Sequence, residues 1–131
     1  MNDMEKDTNF PFISVVDDDK SVRDATSGLL RSLGYAVRTF NSAEEFLDSG
    51  AIAQSGCLIT DLSMPGRSGL ELQSELNAMG LTLPIIFVTG FGSEPSRAQA
   101  IGGGAVAFFS KPFSEDLLTE CLARVFPAPA T

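Results

Sequence analysis

The chain has 131 residues, the length of one typical domain, and its 44% hydrophobic and 20% charged residues are typical of a globular protein. The formal net charge is −8, which argues against binding nucleic acid through phosphate contacts, since such binding requires a basic face. The chain contains no histidine. That absence excludes histidine-ligated zinc sites and histidine-dependent triads, and any phosphohistidine would have to come from a partner.

Compartment and membrane association can be addressed from the cysteines and the amino-terminal residues. Cys57 falls on a predicted strand and Cys121 on the apolar face of a predicted helix. Buried free thiols are favoured over a disulfide, so we expect a reducing cytoplasm. Residues 1–9 lack the basic start and apolar stretch of a signal peptide. No apolar segment is long enough to span a bilayer, so no membrane association is expected.

The first half of the chain predicts two strand–helix units. A near-continuous apolar run predicts a buried strand at residues 12–16. The helix after it ends at Gly34, and a shorter strand follows at 35–40. The apolar positions of that helix are Val22, Leu29, Leu30 and Leu33. A capping-box pattern at 42–45 opens a second helix, which runs through Leu47.

The third unit begins with the apolar strand 57–60, which leads directly into Asp61. A turn at 64–67 has Pro and Gly in the positions that a type II turn requires. A second capping box at 68–71 opens the third helix. We expect this helix to bury Leu72, Leu76 and Met79.

Two further units complete the chain. The strand at 84–89 is the most apolar, and we expect it to be central. The weak helix at 94–101 has Pro95 near its start and three glycines after its end, and a strand follows at 105–110. Ser114 then caps a last helix, which Pro127 and Pro129 stop. Its predicted apolar face consists of Leu117, Leu118, Cys121, Leu122 and Val125.

Strict alternation of strand and helix predicts an α/β domain with right-handed crossovers and a parallel sheet covered on both faces. Five units are too few to close an eight-stranded barrel, so an open, doubly wound sheet is expected. We place one domain at residues 12–126, between a polar tail at 1–11 and a tail or linker start at 127–131.

Three carboxylates follow the first and third strands: the pair Asp17 and Asp18, and Asp61. One Asp at a strand end is commonly a turn residue or a helix cap. In a parallel sheet, however, these three would converge at the carboxyl edge, where open α/β folds bind ligands. Two like charges about 4 Å apart cost roughly 4 kcal/mol at an effective dielectric of 20, so the cluster requires a cation. Mg²⁺ suits such oxygen ligands, and Asp61 could be a third ligand, a nucleophile or both.

Thr89 ends the fourth strand, and Lys111 directly follows the fifth strand at the same edge. A lysine there could be solvated, but in so apolar a stretch, with carboxylates nearby, we favour an ion pair with Asp61. Thr89 carries the weakest signal, because threonine is a normal strand residue. Its hydroxyl could nevertheless bond an incoming phosphoryl oxygen, for which Gly90 leaves room.

These five positions, together with Asp-Leu-Ser-Met-Pro-Gly at 61–66, resemble the response-regulator receiver domains of bacterial two-component signalling. The resemblance covers about residues 12–126 and is close to the FixJ-type receivers that are attached to LuxR-type helix-turn-helix domains. It implies a CheY-like, flavodoxin-like three-layer αβα fold with strand order 2-1-3-4-5.

The resemblance also implies roles for individual residues. Asp61 would accept a phosphoryl group from a phosphohistidine on a sensor histidine kinase or phosphotransfer protein. Asp18 and Asp61 would bind Mg²⁺, or alternatively Mn²⁺, through their side chains, and Asp17 would act mainly through water. The backbone carbonyl of Ser63 would complete the protein ligands. The chain would not be an enzyme beyond its own phosphorylation and dephosphorylation.

Signal output would depend on residues beside this site. Lys111 would pair with Asp61 before phosphorylation and with a phosphoryl oxygen afterwards, and Thr89 would bond another phosphoryl oxygen. Phe108 would be the switch aromatic, although it could also be an ordinary core residue. The Lys111–Pro112 peptide bond would be cis. The face formed by helix four, strand five and helix five would contact a downstream effector protein and could form a homodimer. Because its helix is weak, we expect the segment 91–104 to be mobile without phosphate.

Alternative interpretations remain open at this point. The chain could be a stand-alone receiver or the receiver of a longer LuxR-type DNA-binding regulator. A haloacid dehalogenase-type phosphatase also uses a strand-end Asp, but it needs a second Asp two residues later, where this chain has Ser63. A flavin-binding electron carrier of the same fold gives Asp17, Asp18 and Lys111 no evident role.

Overall fold

The computed structural model describes residues 11–90, 92–111 and 114–127. Five parallel strands form one sheet in the order β2-β1-β3-β4-β5, as expected. The strands are β1 Phe12–Val16, β2 Val37–Phe40, β3 Ser55–Thr60, β4 Ile85–Thr89 and β5 Ala107–Ser110. The helices are α1 Lys20–Ser32, α2 Ala43–Asp48, α3 Gly69–Ala78, α4 Glu94–Gly102 and α5 Glu115–Val125, with a 3₁₀ turn at Ala51–Gln54.

Helices cover both faces of the sheet, which gives the three-layer arrangement that the sequence predicts. On one face, α2, α3 and α4 enclose a core around Phe46, Leu72 and Phe87. On the other face, α1 and α5 pack around Leu30 and Leu118. Because every strand except the edge pair is sandwiched between helices, β1 and β4 are buried at all five positions. That burial explains why they appear in the sequence as continuous apolar runs.

Strand order corrects one expectation about β4. The strand is interior, pairing with β3 on one side and β5 on the other. The middle strand of the sheet is nevertheless β3, which lies between β1 and β4. Apolar content therefore identified an interior strand but not the central one, because strands one place from the centre are equally covered by helices.

Two strands, β2 and β5, begin two residues later than the sequence predicts, for the same reason. The backbone N–H of Tyr35 bonds to the carbonyl of Leu30, and that of Ala105 bonds to the carbonyl of Ala100. These residues close the carboxyl ends of α1 and α4, whose last carbonyls need partners. They therefore terminate the preceding helices, and pairing in β2 and β5 starts two residues further on.

Two predicted core residues, Met79 and Leu117, are each 53% exposed. Met79 is the residue after α3, beyond the last turn that packs on the sheet. Leu117 lies about 100° around α5 from the buried Leu118, outside the stripe that faces the core. Sequence spacing assigned both residues to an apolar face. Met79, at the end of its helix, and Leu117, at the edge of the buried stripe, are nevertheless exposed to solvent.

Helix starts follow the predicted caps with one variation. Ser68 and Glu71 form the complete reciprocal capping box that opens α3. At α2, the Ser42 hydroxyl accepts from the Glu45 backbone N–H, as expected, but the Glu45 carboxylate accepts from the N–H of Asn41. None of the helices in the described part of the chain has the length and apolar character needed to cross a membrane.

Candidate functional site

The suspected site residues stand where the sheet ends. Hydrogen bonds of the sheet continue one residue past the strands: Asp17 N–H bonds to Phe40 O at 3.1 Å, and Asp61 N–H bonds to Val16 O at 3.0 Å. Lys111 N–H bonds to Thr89 O at 2.8 Å. The sheet itself therefore fixes the backbone of these residues at one edge.

The three carboxylates come together at this edge. Asp17, Asp18 and Asp61 each offer an oxygen, and these oxygens all lie within 4.8 Å of one another. Asp17 and Asp61 are buried, whereas Asp18 is exposed. Three carboxylates and one ammonium leave a net charge of −2 if all are ionised. That set of hard oxygen donors, open to solvent through Asp18, fits a divalent cation such as Mg²⁺.

Lys111 bridges two of the carboxylates. Its Nζ lies 3.1 Å from Asp17 Oδ2 and 3.2 Å from Asp61 Oδ2. The pairing with Asp61 was expected from the sequence, but the pairing with Asp17 was not. The other Asp17 oxygen accepts from the Asp19 N–H at 2.9 Å, and the other Asp61 oxygen accepts from the Ser63 N–H at 3.2 Å. Both oxygens of Asp17 are thus already engaged within the protein.

Burial and pairing act on these charges in opposite directions. Burial raises the pKa of Asp17 despite the Asp19 N–H and the Lys111 ammonium, which both lower it. Burial also lowers the pKa of Lys111, but the hydrogen bond and charge of Asp17, followed by those of Asp61, raise it overall. The raised pKa of Lys111 favours its charged form, whereas the raised pKa of Asp17 favours its neutral form. The ion pair is common to both, and the difference arises because Asp17 is nearly wholly buried whereas Lys111 is partly solvated.

Arg23 is a site residue that was not identified from the sequence. Its Nη1 donates to the backbone carbonyl of Asp17 at 2.8 Å. Asp19 caps α1 by accepting from the N–H groups of Ser21 and Val22, so the loop carrying Asp17 and Asp18 is fixed from both sides. A cation near the start of a helix is unfavourable for the helix dipole. That position in the sequence was the one available signal that Arg23 has a partner.

A second group of residues lies around Thr89, which is fully buried at the end of β4. A Cβ added at Gly92 would come within 2.8 Å of the Phe108 ring and 3.0 Å of the Thr89 methyl group. Gly92 thus fills the space between Thr89 and Phe108 with backbone alone. A Cβ at Gly90 would meet nothing within 4 Å, so open space follows Thr89 as expected.

Phe108 is half-buried and packs against the first core, with its ring centroid 6.3 Å from that of Phe87. Ser63 is exposed, and its N–H bond to Asp61 turns the loop after β3 back towards the carboxylates. The Lys111–Pro112 bond, for which a cis form was expected, includes a residue outside the described ranges.

Comparisons with known proteins agree with this geometry. A family model described as the response regulator receiver domain matches residues 13–123. The response regulator protein TmoT of Ectopseudomonas mendocina is 46% identical over 119 residues, covering 90% of this chain and 52% of TmoT. The transcriptional regulatory protein FixJ of Azorhizobium caulinodans is 46% identical over 103 residues, covering 79% of this chain and 49% of FixJ.

Among solved structures, the crystal structure of FixJ-N has a TM-score of 0.80 and 35% identity, and the match covers 92% of this chain and 97% of that one. The chain spans about half the length of the curated relatives that it matches. The similarity therefore concerns a domain-sized part of those proteins.

Proposed function

Because the chain belongs to the response regulator receiver domain family, we propose that Asp61 accepts a phosphoryl group from a phosphohistidine on a sensor histidine kinase or phosphotransfer protein. The family is not one of classical enzymes, and we assign to the chain only its own phosphorylation and dephosphorylation. One observation carries the proposal: the buried Asp61 carboxylate lies beside two further carboxylates and in contact with Lys111.

The residues present can perform each part of the transfer. An Asp61 carboxylate oxygen forms a bond to phosphorus while the bond from phosphorus to the donor imidazole nitrogen breaks, and that nitrogen takes up a proton. Lys111 then moves from the carboxylates to a phosphoryl oxygen. The Thr89 hydroxyl donates to another phosphoryl oxygen, and the open space at Gly90 admits the group.

A magnesium ion would be held by the side chains of Asp18 and Asp61, by Asp17 through water and by the carbonyl of Ser63; Mn²⁺ is the alternative metal. Support comes from one carboxylate oxygen each of Asp17, Asp18 and Asp61, which all lie within 4.8 Å of one another, and from the exposure of Asp18 to solvent. When bound, the ion neutralises negative charge that the carboxylates and phosphoryl oxygens concentrate at the site.

The test is incubation with Mg²⁺ and acetyl phosphate, followed by intact-mass measurement. Wild type should gain the mass of one phosphoryl group, and Asp61→Asn should gain none. Asp48→Asn is the matched control, because Asp48 is exposed at the end of α2 and should label like wild type. Omitting Mg²⁺ should abolish labelling. Equal labelling of wild type and Asp61→Asn would refute the assignment, and sustained release of phosphate from simple esters would favour a phosphatase.

Output would pass through α4, β5 and α5, with Thr89 and Phe108 as the switch pair. Exposed Ile101 on α4 and Val106 before β5 support this face as a contact surface for an effector or for a second copy of the chain. Light scattering with and without acetyl phosphate would separate the two, because only a homodimer doubles the mass of the pure protein.

We further propose that the receiver, with boundaries near residues 12 and 126, functions within a longer DNA-binding regulator of the cytoplasm. The roughly twofold length of TmoT and FixJ supports the longer protein, and the buried free thiols of Cys57 and Cys121 support a reducing compartment. The reading frame after Thr131 tests this proposal: a stop codon there would favour the stand-alone receiver.

A further inference from the structure

Two amide side chains of α3 hold the carboxyl end of α4. Gln73 Nε2 donates to the carbonyl of Ala100 at 2.8 Å, and Asn77 Nδ2 donates to the carbonyl of Gly103 at 2.9 Å. Gln73 is buried, so its amide is committed to this contact, since an unpaired buried amide would be costly. Ala100 is itself the buried residue of α4. The last turn of α4 is therefore attached to α3 by two hydrogen bonds and by packing.

The attachment depends on a glycine. A Cβ added at Gly103 would lie 2.7–2.9 Å from three atoms of the Gln73 amide, whereas a Cβ at Gly102 would meet nothing within 4 Å. The φ angle of Gly103 is −84°, which any residue can adopt. A side chain at position 103 would therefore have to displace the Gln73 amide, although the backbone conformation of Gly103 would accept any residue.

The amino end of α4 is held differently. Ser93 and Ser96 cap each other there, a contact made within the helix itself. Glu94 and Arg97 on the first turns are exposed. This end also follows directly on Gly92, where an added Cβ would come within 2.8 Å of the Phe108 ring and 3.0 Å of the Thr89 methyl group. The two ends of α4 thus differ: one is attached to α3, and the other adjoins the phosphorylation site.

We propose that Gln73 and Asn77 make the carboxyl end of α4 a fixed pivot, so that phosphorylation displaces residues 92–97 and leaves residues 100–103 in place. This inference rests on the proposed function and specifies how its signal would be transmitted. The changing surface would be the groove of about 520 Å³ beside β5. It is lined by Gly92, Ser93, Glu94, Arg97, Phe108 and Ser110. The apolar Ile101, near the pivot, would form a constant part of the same face.

Amide hydrogen exchange of the full chain tests the pivot, with beryllium fluoride and Mg²⁺ as the phosphoryl analogue. In wild type, the analogue should change exchange at residues 61–63 and 92–97 and alter residues 100–104 less than about twofold. Without the analogue, Gly103→Ala should speed exchange at 100–104 about tenfold, because the added methyl group displaces the Gln73 amide. Gly102→Ala should slow it about fivefold, since alanine favours the helix.

The paired variants keep the outcome unambiguous, because helix propensity alone predicts slower exchange in both. Asn77→Ala, at an exposed position, removes the other hydrogen bond to the carboxyl end of α4 and should speed amide exchange there to a smaller extent. The pivot is refuted if Gly103→Ala behaves like Gly102→Ala, or if the analogue changes residues 100–104 as much as residues 92–97. Exchange that the analogue changes nowhere would overturn the phosphoryl-acceptor function together with the pivot, whereas a uniform change along α4 would overturn the pivot alone.

Discussion

Replacing Lys111 by methionine should destabilise the metal-free protein by about 2 kcal/mol at pH 7, because it leaves Asp17 and Asp61 facing each other without their shared cation. Breaking a fully buried pair costs about 3–5 kcal/mol. The side chains of Asp17 and Asp61 are only 5% and 10% exposed, but that of Lys111 is 22% exposed. Water can therefore enter and screen part of the repulsion, which reduces the expected loss.

The pH dependence of this loss has a definite sign. Burial already raises the pKa of Asp17 above 3.8, and removing the ammonium should raise that pKa further. A carboxyl whose folded pKa is raised favours the folded state at low pH and loses that contribution as pH rises through the folded pKa. The deficit of Lys111→Met should therefore shrink as pH falls towards 3.8. In wild type the pKa of Lys111 is raised above 10.5, so its contribution persists at neutral pH and is lost only as pH rises through that raised value.

Mg²⁺ should compensate for the missing ammonium. A divalent ion beside Asp18 and Asp61 is repelled by Lys111 in wild type, so the variant should bind Mg²⁺ about tenfold more tightly and recover most of its lost stability. The assay is urea unfolding followed by circular dichroism, with and without Mg²⁺. Lys20→Met is the matched control: its pair with Asp24 is exposed to solvent, so its loss should cost far less stability than the loss of Lys111. Equal losses in the two variants, or equal stabilisation of wild type and Lys111→Met by Mg²⁺, would refute the argument.

Three further predictions concern the scaffold. Gly69→Ala should cost about 3 kcal/mol in urea unfolding, because the added methyl group would collide with the carbonyl oxygen of Asp61, whereas Gly28→Ala, in open space on α1, should stabilise by up to about 1 kcal/mol. The Cys57 thiol, whose pKa burial raises to about 12, should react with a disulfide reagent at pH 8 only as fast as the protein unfolds; rapid reaction in the absence of urea would contradict this. Tyr35→Phe removes the donor to the carbonyl that ends α5 and should cost about 1 kcal/mol, with faster amide exchange confined to that end of the helix.

The strands and helices could be predicted from the sequence because the interactions that form them lie between residues close together in the chain. Strands buried on both faces need continuous apolar runs, and helix starts need a side chain that accepts from the first free N–H groups. Ser68 and Glu71 meet that need within four residues, so their capping box could be identified without the fold. The strand order, in contrast, followed from the family resemblance, since alternation of strand and helix alone permits several orders.

Contacts between distant side chains could not be predicted in the same way. Lys111 reaches Asp17 across two intervening strands, and the backbone pattern does not say which of several carboxylates a flexible ammonium selects. The hydrogen bond of Gln73 is equally hard to predict. Gln73 lies among apolar positions on α3, and its partner, the carbonyl of Ala100, is brought near only when α4 packs against α3 with Gly103 beside the amide. The sequence predicted which residues meet at the sheet edge, but not the attachments that fix the surrounding loops and α4.

Thr89, at the end of β4, connects the charges of the site with the attachment of α4. In the structure Lys111 is shared by two buried carboxylates, so any group that takes this ammonium away leaves Asp17 without its cation. In the proposed phosphorylated state Lys111 and Thr89 would both turn towards the phosphoryl group on Asp61, and there is little room beside Thr89, because a Cβ added at Gly92 would come within 3.0 Å of its methyl group. Movement of Thr89 must then be taken up by Phe108 or by the amino end of α4, because Gln73 holds the other end. A fixed pivot thus converts a change of charge at the sheet edge into a displacement in one direction.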